Sequence, residues 1–326
     1  MLVAAEKRHA YRGETMNRSP DAIEASYVAC RRIARHSGSN FYAAFVLLPR
    51  AKRRAMDVLY AFMRHTDDLA DNPEPVLGRR KALDRWRAAV ERTLLGDFSP
   101  ADGADTPIRG PYYTAQQAGK ALLPALADVV RRFQVPPNHL RAVIDGVEMD
   151  LSKRRYETFA ELQEYCERVA SAVGLACIHV WGFRGHEALE PARKCGIALQ
   201  LTNILRDLRE DVRQDRVYLP LEDLRQCGYS VEDLVAGVAD ERFGRLMELE
   251  IDRAEQFYRE GNRLAAWLEP DGRKIFGMMT TTYHSLLKKI ARRPADVLLR
   301  RVRLSNFKKL QLTARWALLP SQAAAL

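Results

Sequence analysis

Two clusters of acidic residues have the spacing of a charged site. Asp67, Asp68 and Asp71 form the run DDLAD, and Asn203, Asp207 and Asp211 lie in NILRDLRED. On a helix, residues four apart share a face one turn apart, so Asp67 and Asp71 stack, as do Asn203, Asp207 and Asp211. Like charges stacked this way repel and weaken an isolated helix, so the arrangement calls for a counter-charge. A solvated helix end would explain the first cluster alone. It explains the second less well, because the preceding stretch 196–202 (GIALQLT) is largely apolar and places the stripe on a mostly buried helix. Carboxylates in a buried row need a cation or strong donors. Magnesium suits such faces: it takes a few carboxylate oxygens, keeps waters and completes its octahedron with phosphate oxygens. The metal candidates Asp67, Asp71, Asn203, Asp207 and Asp211 suit two or three Mg2+ ions chelating one or two diphosphates and turning a diphosphate into a leaving group. No Gly-rich phosphate loop is present, so ATP is not implied.

The neighbours extend the pattern. Gln200 lies one turn before Asn203, whereas Arg206, Arg209 and Glu210 point partly elsewhere. Arg64 lies one turn before Asp68, and Arg216 and Tyr218 follow the second cluster in DRVYLP. Arginine clamps phosphate oxygens in a forked geometry. Tyr60, Phe41, Tyr165 and Tyr283 offer electron-rich faces that stabilise a cation without attacking it, although core packing explains any one of them. His36 and His65 read equally as hydrogen-bonded structural residues. Gly174 could admit a second helix or a substrate chain, and helix packing alone also accounts for it.

The elements that must position these residues are helices. Helical periodicity dominates, and strand-like alternation is nearly absent. Ser19-Pro20-Asp21 reads as a cap, a first-turn proline and a first-turn acid, opening a helix to about residue 35. Pro49 opens the next helix, 50–71, which ends before Asn72-Pro73. Further helices are predicted at about 75–95, 115–133, 137–151, 158–183, 188–210, 221–227, 230–268, 271–292 and 294–317. The Gly/Pro/Asp-rich segment 96–113 reads as one long loop. The expected organisation is an all-α single domain over 19–317, with a disordered extension at 1–18 and a tail at 318–326. The two acidic helices then form a pseudo-symmetric pair of walls.

Composition narrows the class. The chain has 326 residues, 47% hydrophobic and 29% charged, and can bury a large core and enclose a deep apolar cavity. A net charge of +10 attracts anions, but no Lys/Arg block is long enough for a nucleic-acid arm, so nucleic acid is not an expected partner. Five cysteines, without a CxxC pair, offer neither a zinc pattern nor a disulfide framework and read as reduced, mostly buried thiols. No secretory signal is visible. The longest apolar runs, 41–49 and 170–183, fall short of the ~20 residues that cross a bilayer. The expected location is cytoplasmic, with peripheral contact to a membrane left open.

The segments HSGSNFYAAFVLLP, LYAFMRHTDDLAD, YCERVASAVGL and LQLTNILRDLREDVRQDRVYLP resemble the squalene/phytoene synthase family in order and spacing. The resemblance spans about residues 25 to 310, and Asn40 makes the early segment one residue longer than in some members. It implies an isoprenoid-synthase-type helical bundle around a central apolar cavity with two facing aspartate-rich helices. It also implies head-to-head (1′–1) condensation of two prenyl diphosphates. By the same resemblance Asp67, Asp71, Asn203, Asp207 and Asp211 match magnesium positions, with Asp68 as companion. Arg64, Gln200, Arg216 and Tyr218 match residues near the diphosphates. Ser37, Ser39 and Phe41 match a substrate-covering segment, and Tyr60, Tyr165, Val169, Val173 and Gly174 match cavity walls. HTDDLADN and YCERVASAVGL are more similar to bacterial squalene-pathway members than to plant-type phytoene synthases. This implies two C15 farnesyl diphosphates joined to presqualene diphosphate and a C30 product, with two C20 geranylgeranyl diphosphates joined to phytoene as the alternative. NADPH is a candidate reductant, and no fingerprint in the sequence decides it. A terpene cyclase or head-to-tail synthase shares aspartate-rich helices but fits LQLTNILRDLRED poorly. Degenerate relatives that act as assembly factors tend to lose the metal carboxylates, which are intact here. Oligomeric state is not indicated.

Overall fold

The computed structural model describes residues 20–36, 40–96 and 115–318. The expectations for 1–18, Ser19, Ser37, Ser39, the 97–113 loop and the tail beyond 318 lie outside the described residues, as does the side chain of Phe41. The described chain is helical, and its only bridges outside helices are the isolated pairs Arg155–Val217 and Phe183–Leu268.

The first helices follow the proline and cap signals. α1 is Pro20–His36, α2 is the short Asn40–Ala44, α3 is Arg50–Asp71 and α4 is Val76–Leu95. α3 stops at Asp71 because Asn72 precedes a proline and is held extended (φ −59°, ψ 139°). α5 is Ala115–Phe133 and α6 is Pro137–Met149, with Pro137 in its first turn.

Three long predicted helices are divided. The 158–183 stretch is α7 (Phe159–Cys166), a π turn over Glu167–Ser171, and α8 (Ala172–Trp181). α9 then runs Leu189–Arg213 and α10 Leu221–Gln226. The 230–268 stretch is α11 (Val231–Ala236) and α12 (Glu241–Gly261), followed by a 3-10 turn over Asn262–Ala266. Gly237 ends α11 in the left-handed region (φ 69°) and the Asp240 carboxylate caps α12 through the amides of Arg242 and Phe243, so two helices replace one. After α13 (Pro270–Arg292), the 294–317 stretch is α14 (Asp296–Leu299), an extended segment 300–305, and α15 (Asn306–Leu318).

Two apolar clusters form the core. One gathers α3, α5, α6 and α8 around Leu59, Phe62, Leu126 and Ile144; the other gathers α9, α12 and α13 around Leu201, Phe243 and Leu287. α9 is the shared element, packed on α12, α8, α13 and the π turn. Gly196 permits this: a Cβ there would stand 2.5 Å from the Cα of Ser171, so only glycine lets α9 press onto the π turn. All five cysteines are buried free thiols. Among the described residues no helix is long and apolar enough to cross a membrane.

Candidate active site

A cavity of about 670 Å3 opens where the two core clusters meet. α3 contributes Met56, Leu59, Tyr60, Met63, Arg64 and Asp67. The π turn and α8 contribute Val169, Val173, Gly174, Cys177, Ile178 and Trp181. α9 contributes Leu199, Gln200, Asn203 and Arg206, and α13 contributes Phe276, Met279 and Tyr283. Spacing explains much of this wall: Tyr60, Arg64 and Asp67, like Leu199, Asn203 and Arg206, recur every three or four residues and share one helix face. The wall is polar at the Asp67–Asn203 level and at Thr280, Thr282, Arg301 and Arg303, and mostly apolar elsewhere. The structure thus brings Tyr60, Arg64, Asp67, Val169, Val173, Gly174, Gln200, Asn203 and Tyr283 to one cavity. Gly174 is not a tight helix contact, since an added Cβ would lie 3.5 Å from the Ala192 carbonyl.

The acids beyond the wall gather at its rim. Asp71 ends α3 and Asp211 lies in the last turn of α9, where unpaired helix carbonyls already present partial negative charge. Both faces therefore put carboxylates at the electrostatically wrong helix end. Asp67 is open to solvent, yet its carboxyl is pushed up to about 7, first by the protein hemming it in and then by Asp71, with Arg64 opposing. Asp211 is half-buried and also pushed up to about 7, first by burial and then by Asp207. Asp71 meets Arg216 at 3.8 Å, which ties the end of α3 to the turn after α9. That turn depends on Asp215, which adopts φ 58° and lets the Arg216 amide return to the Asp211 carbonyl at 2.8 Å. Arg64 pairs with the Asp68 carboxylate at 2.7 Å on the exposed face.

Asp207 is arranged differently from the other acids. Its carboxylate accepts hydrogen bonds from Arg206 (Nε at 2.8 Å) and from Arg301 (Nη2 at 3.1 Å), and Arg301 also meets Glu210 at 3.3 Å. The reading that Arg206 points partly elsewhere is thus corrected: it lines the cavity, because three residues after Asn203 is still the same helix face. Arg301 was missed because its partner Asp207 is 94 residues away in the chain.

Tyr165 and Tyr218 stand beside the wall and not in it. Their rings stack at 5.2 Å, and both hydroxyls donate to one carboxylate, Asp150, at 3.0 and 2.9 Å. Asp150, at the C-terminus of α6, was not anticipated; it stands alone in GVEMDLSK with no acidic partner at helical spacing. Its carboxyl is raised by burial, against the Tyr218 hydrogen bond and Arg216. His65 is buried against Trp86 (4.6 Å between rings) and its pKa is lowered by burial to about 4, as befits a core residue. His36 faces its own helix through the Arg32 carbonyl.

The donors at the rim fit a hard divalent cation. All are oxygens, and Asn203 Oδ1 is buried without a hydrogen-bond partner while its Nδ2 donates to Gln200. Among the described residues no three His, Cys, Asp or Glu side chains converge closely enough to hold a metal between them. The acids instead come as two pairs on two helices, so a cation here would have to share oxygens with a bound phosphate group.

A squalene/phytoene synthase family model matches residues 34–308. The chain belongs to the squalene/phytoene synthase family. It is 36% identical over 301 residues to a 15-cis-phytoene synthase of Synechocystis sp., covering 89% of this chain and 83% of that protein. It is 35% identical to a phytoene synthase of Arthrospira platensis, covering 90% and 93%. Among solved structures it is similar to the squalene synthase HpnC from Alicyclobacillus acidocaldarius (26% identity, TM-score 0.74, 85% of this chain and 96% of that one). It matches a ligand-bound dehydrosqualene synthase equally well (26%, TM-score 0.74, 91% and 96%). The all-α isoprenoid-synthase fold expected from the sequence is the fold observed. As a member of this family the chain is a prenyltransferase that condenses two prenyl diphosphates head to head.

Proposed function

We propose that the acidic rim holds the diphosphates of both substrates through magnesium while their isoprenoid chains lie in the apolar cavity. One observation supports this above others: Asp67 and Asn203 line the same cavity, whose wall is otherwise mostly apolar and aromatic. Asp67 and Asp71 from α3, with Asn203, Asp207 and Asp211 from α9, would hold two or three Mg2+ ions. Bound magnesium would neutralise the departing diphosphate and make it a leaving group. Arg64, oriented by Asp68, together with Arg216 and Gln200, would donate hydrogen bonds to diphosphate oxygens. Arg206 and Arg301 would pass from Asp207 to the incoming diphosphate.

Ionisation breaks the C1–O bond of one substrate, and the electron pair leaves with diphosphate. Tyr60, Tyr283 and the neighbouring walls Val169, Val173 and Gly174 exclude water, and the rings stabilise the allylic cation. The C2–C3 double bond of the second substrate attacks C1, a proton passes to the released diphosphate, and a cyclopropylcarbinyl diphosphate forms. Tyr165 and Tyr218, held by Asp150, would orient the diphosphate region, and Ser37, Ser39 and Phe41 would cover the substrate. NADPH would be drawn on only if a second ionisation ended in reduction. We take residues 19–317 as the catalytic domain, working in the cytoplasm at a membrane surface.

For chain length we propose C15 substrates. Large buried rings, Phe45, Trp181 and Phe276, lie in the cavity wall, where they would limit its reach. The likeness to squalene and dehydrosqualene synthase structures supports the same reading. A C20 reading is favoured by the identity to phytoene synthases. The test is incubation of purified protein and Mg2+ with farnesyl or geranylgeranyl diphosphate, with and without NADPH, and mass identification of products. Farnesyl diphosphate should give a C30 product. Exclusive C40 product would overturn the chain-length reading, and no consumption of either substrate would overturn the enzymatic one. Trp181→Leu should move preference toward the C20 substrate by about tenfold or more.

A further inference from the structure

Charge is unevenly distributed along this chain. Residues 288–315 contain ten Lys and Arg against one acid, Asp296, a net +9 in a protein whose whole excess is +10. Lys288, Lys289, Arg292, Arg293, Arg300 and Arg303 in this stretch are exposed. Apolar side chains stand exposed among these cations: Leu299 at 63%, Phe307 at 76% and Leu310 at 67%, with Leu318 at 84% just beyond. Phe307, Leu310 and Leu318 fall on one stripe of α15. The opposite side of α15 is anchored: Leu312 and Trp316 are buried, and Trp316 packs so closely on α13 that a Cβ at Gly277 would meet its ring at 2.1 Å. α15 is therefore amphipathic twice over, with one apolar side spent on the core and another left facing out.

We infer that this basic, apolar-studded face from the end of α13 through α15 docks on an anionic lipid surface. A soluble second copy is the poorer occupant, because two faces carrying the exposed Lys288, Lys289, Arg292, Arg293, Arg300 and Arg303 would repel, whereas anionic headgroups complement them and the stripe can insert at the acyl boundary. The basic stretch also reaches the cavity: Arg301, Val302, Arg303 and Leu304 line it. Docking would bring this part of the cavity wall close to the bilayer, the phase into which a water-insoluble hydrocarbon must leave. This last step rests on the function proposed above; the docking surface itself does not.

The test is co-sedimentation of the full chain with phosphatidylglycerol-containing vesicles or with pure phosphatidylcholine vesicles. The wild type should partition to the anionic vesicles at least about tenfold better and lose the advantage in high salt. The double variant Phe307→Ser/Leu310→Ser alters only exposed side chains of α15, so its helical circular dichroism and its turnover in detergent should match the wild type, while its vesicle partition falls about tenfold. Equal partition of variant and wild type, indifference of the wild type to lipid charge, or a wild-type dimer that the variant dissociates without altered vesicle binding would each overturn the proposal. Vesicle binding without turnover would leave the docking surface standing and count against the proposed function; turnover without vesicle binding would do the reverse.

Discussion

The two acidic faces differ in how their charge is held. On α3, Asp67, Asp68 and Asp71 are exposed, and Asp68 and Asp71 meet cationic partners, Arg64 at 2.7 Å and Arg216 at 3.8 Å. On α9, the stripe is half-buried, and Asp207 is clasped by Arg206 and Arg301. Partly buried Asp207 carries its counter-charge before any substrate arrives, partly buried Asp211 instead has its carboxyl pushed up, and exposed acid can rely on water. α3 thus presents ready ligands, and α9 presents one ready ligand set, Asn203 and Asp211, plus one acid that must exchange guanidinium for metal.

The largest expected effect is loss of the ligands themselves. Asp67→Ala on α3 and Asp211→Ala on α9 should each lower kcat by about 10²–10³ or more, with the helical circular dichroism unchanged. A mild effect of either would break the symmetry of the two faces. Asp150→Asn should reduce kcat about tenfold to a hundredfold, the worth of one charge-assisted hydrogen bond, because one tyrosine hydroxyl loses its acceptor and the other keeps only a neutral one. A purely structural role for Asp150 would instead lower thermal stability and leave kcat intact. Arg301→Gln sharpens the contrast directly. It frees Asp207 from one competitor, so the Mg2+ concentration for half-maximal turnover should fall severalfold even as kcat drops; an unchanged magnesium requirement would mean that Arg301 does not compete with metal.

The smallest effect concerns a buried acid with no part in the site. Glu250 on α12 is 1% exposed, and burial, with Asp223 adding and Arg253 opposing, raises its carboxyl to about 8. Its folded pKa lies above its ordinary value of 4.5, so the native state retains a proton that the unfolded chain releases. The resulting stabilisation is fully present below about 4.5 and is lost as pH rises through about 8, at a slope of at most ~1.4 kcal/mol per pH unit. Glu250→Gln should flatten that slope in denaturant unfolding measured from pH 5 to pH 9. An unchanged slope would mean that Glu250 is ionised throughout, balanced by Arg253.

Much of this was legible in the sequence where local chemistry decides. α3 begins and ends where Pro49 and Asn72-Pro73 require, and both aspartate stripes share faces because helical spacing alone dictates it. The break at Gly237–Asp240 had local signals, Gly237 as a helix stop and the Asp240 cap, that continuous apolar periodicity overrode. The π turn at Glu167–Ser171 had none, since it is fixed by packing on Gly196 of α9. Asp150 and Arg301 were hidden for the same reason: each gains its meaning from residues 15 to 94 positions away, which only the tertiary fold brings close.

The two acidic faces, from distant parts of the chain, are proposed to act together on the diphosphate that ionises. The most direct test of this is the magnesium-dependent ionisation rate of a single labelled prenyl diphosphate in wild type, Asp67→Asn, Asp211→Asn and the double variant. Groups that act as a unit are strongly non-additive. Each single change should remove nearly all of the rate, and the double variant should be hardly slower than either. Losses that multiply, or a rate that survives the removal of one face, would mean that α3 and α9 hold separate ligands, and the shared site would be contradicted.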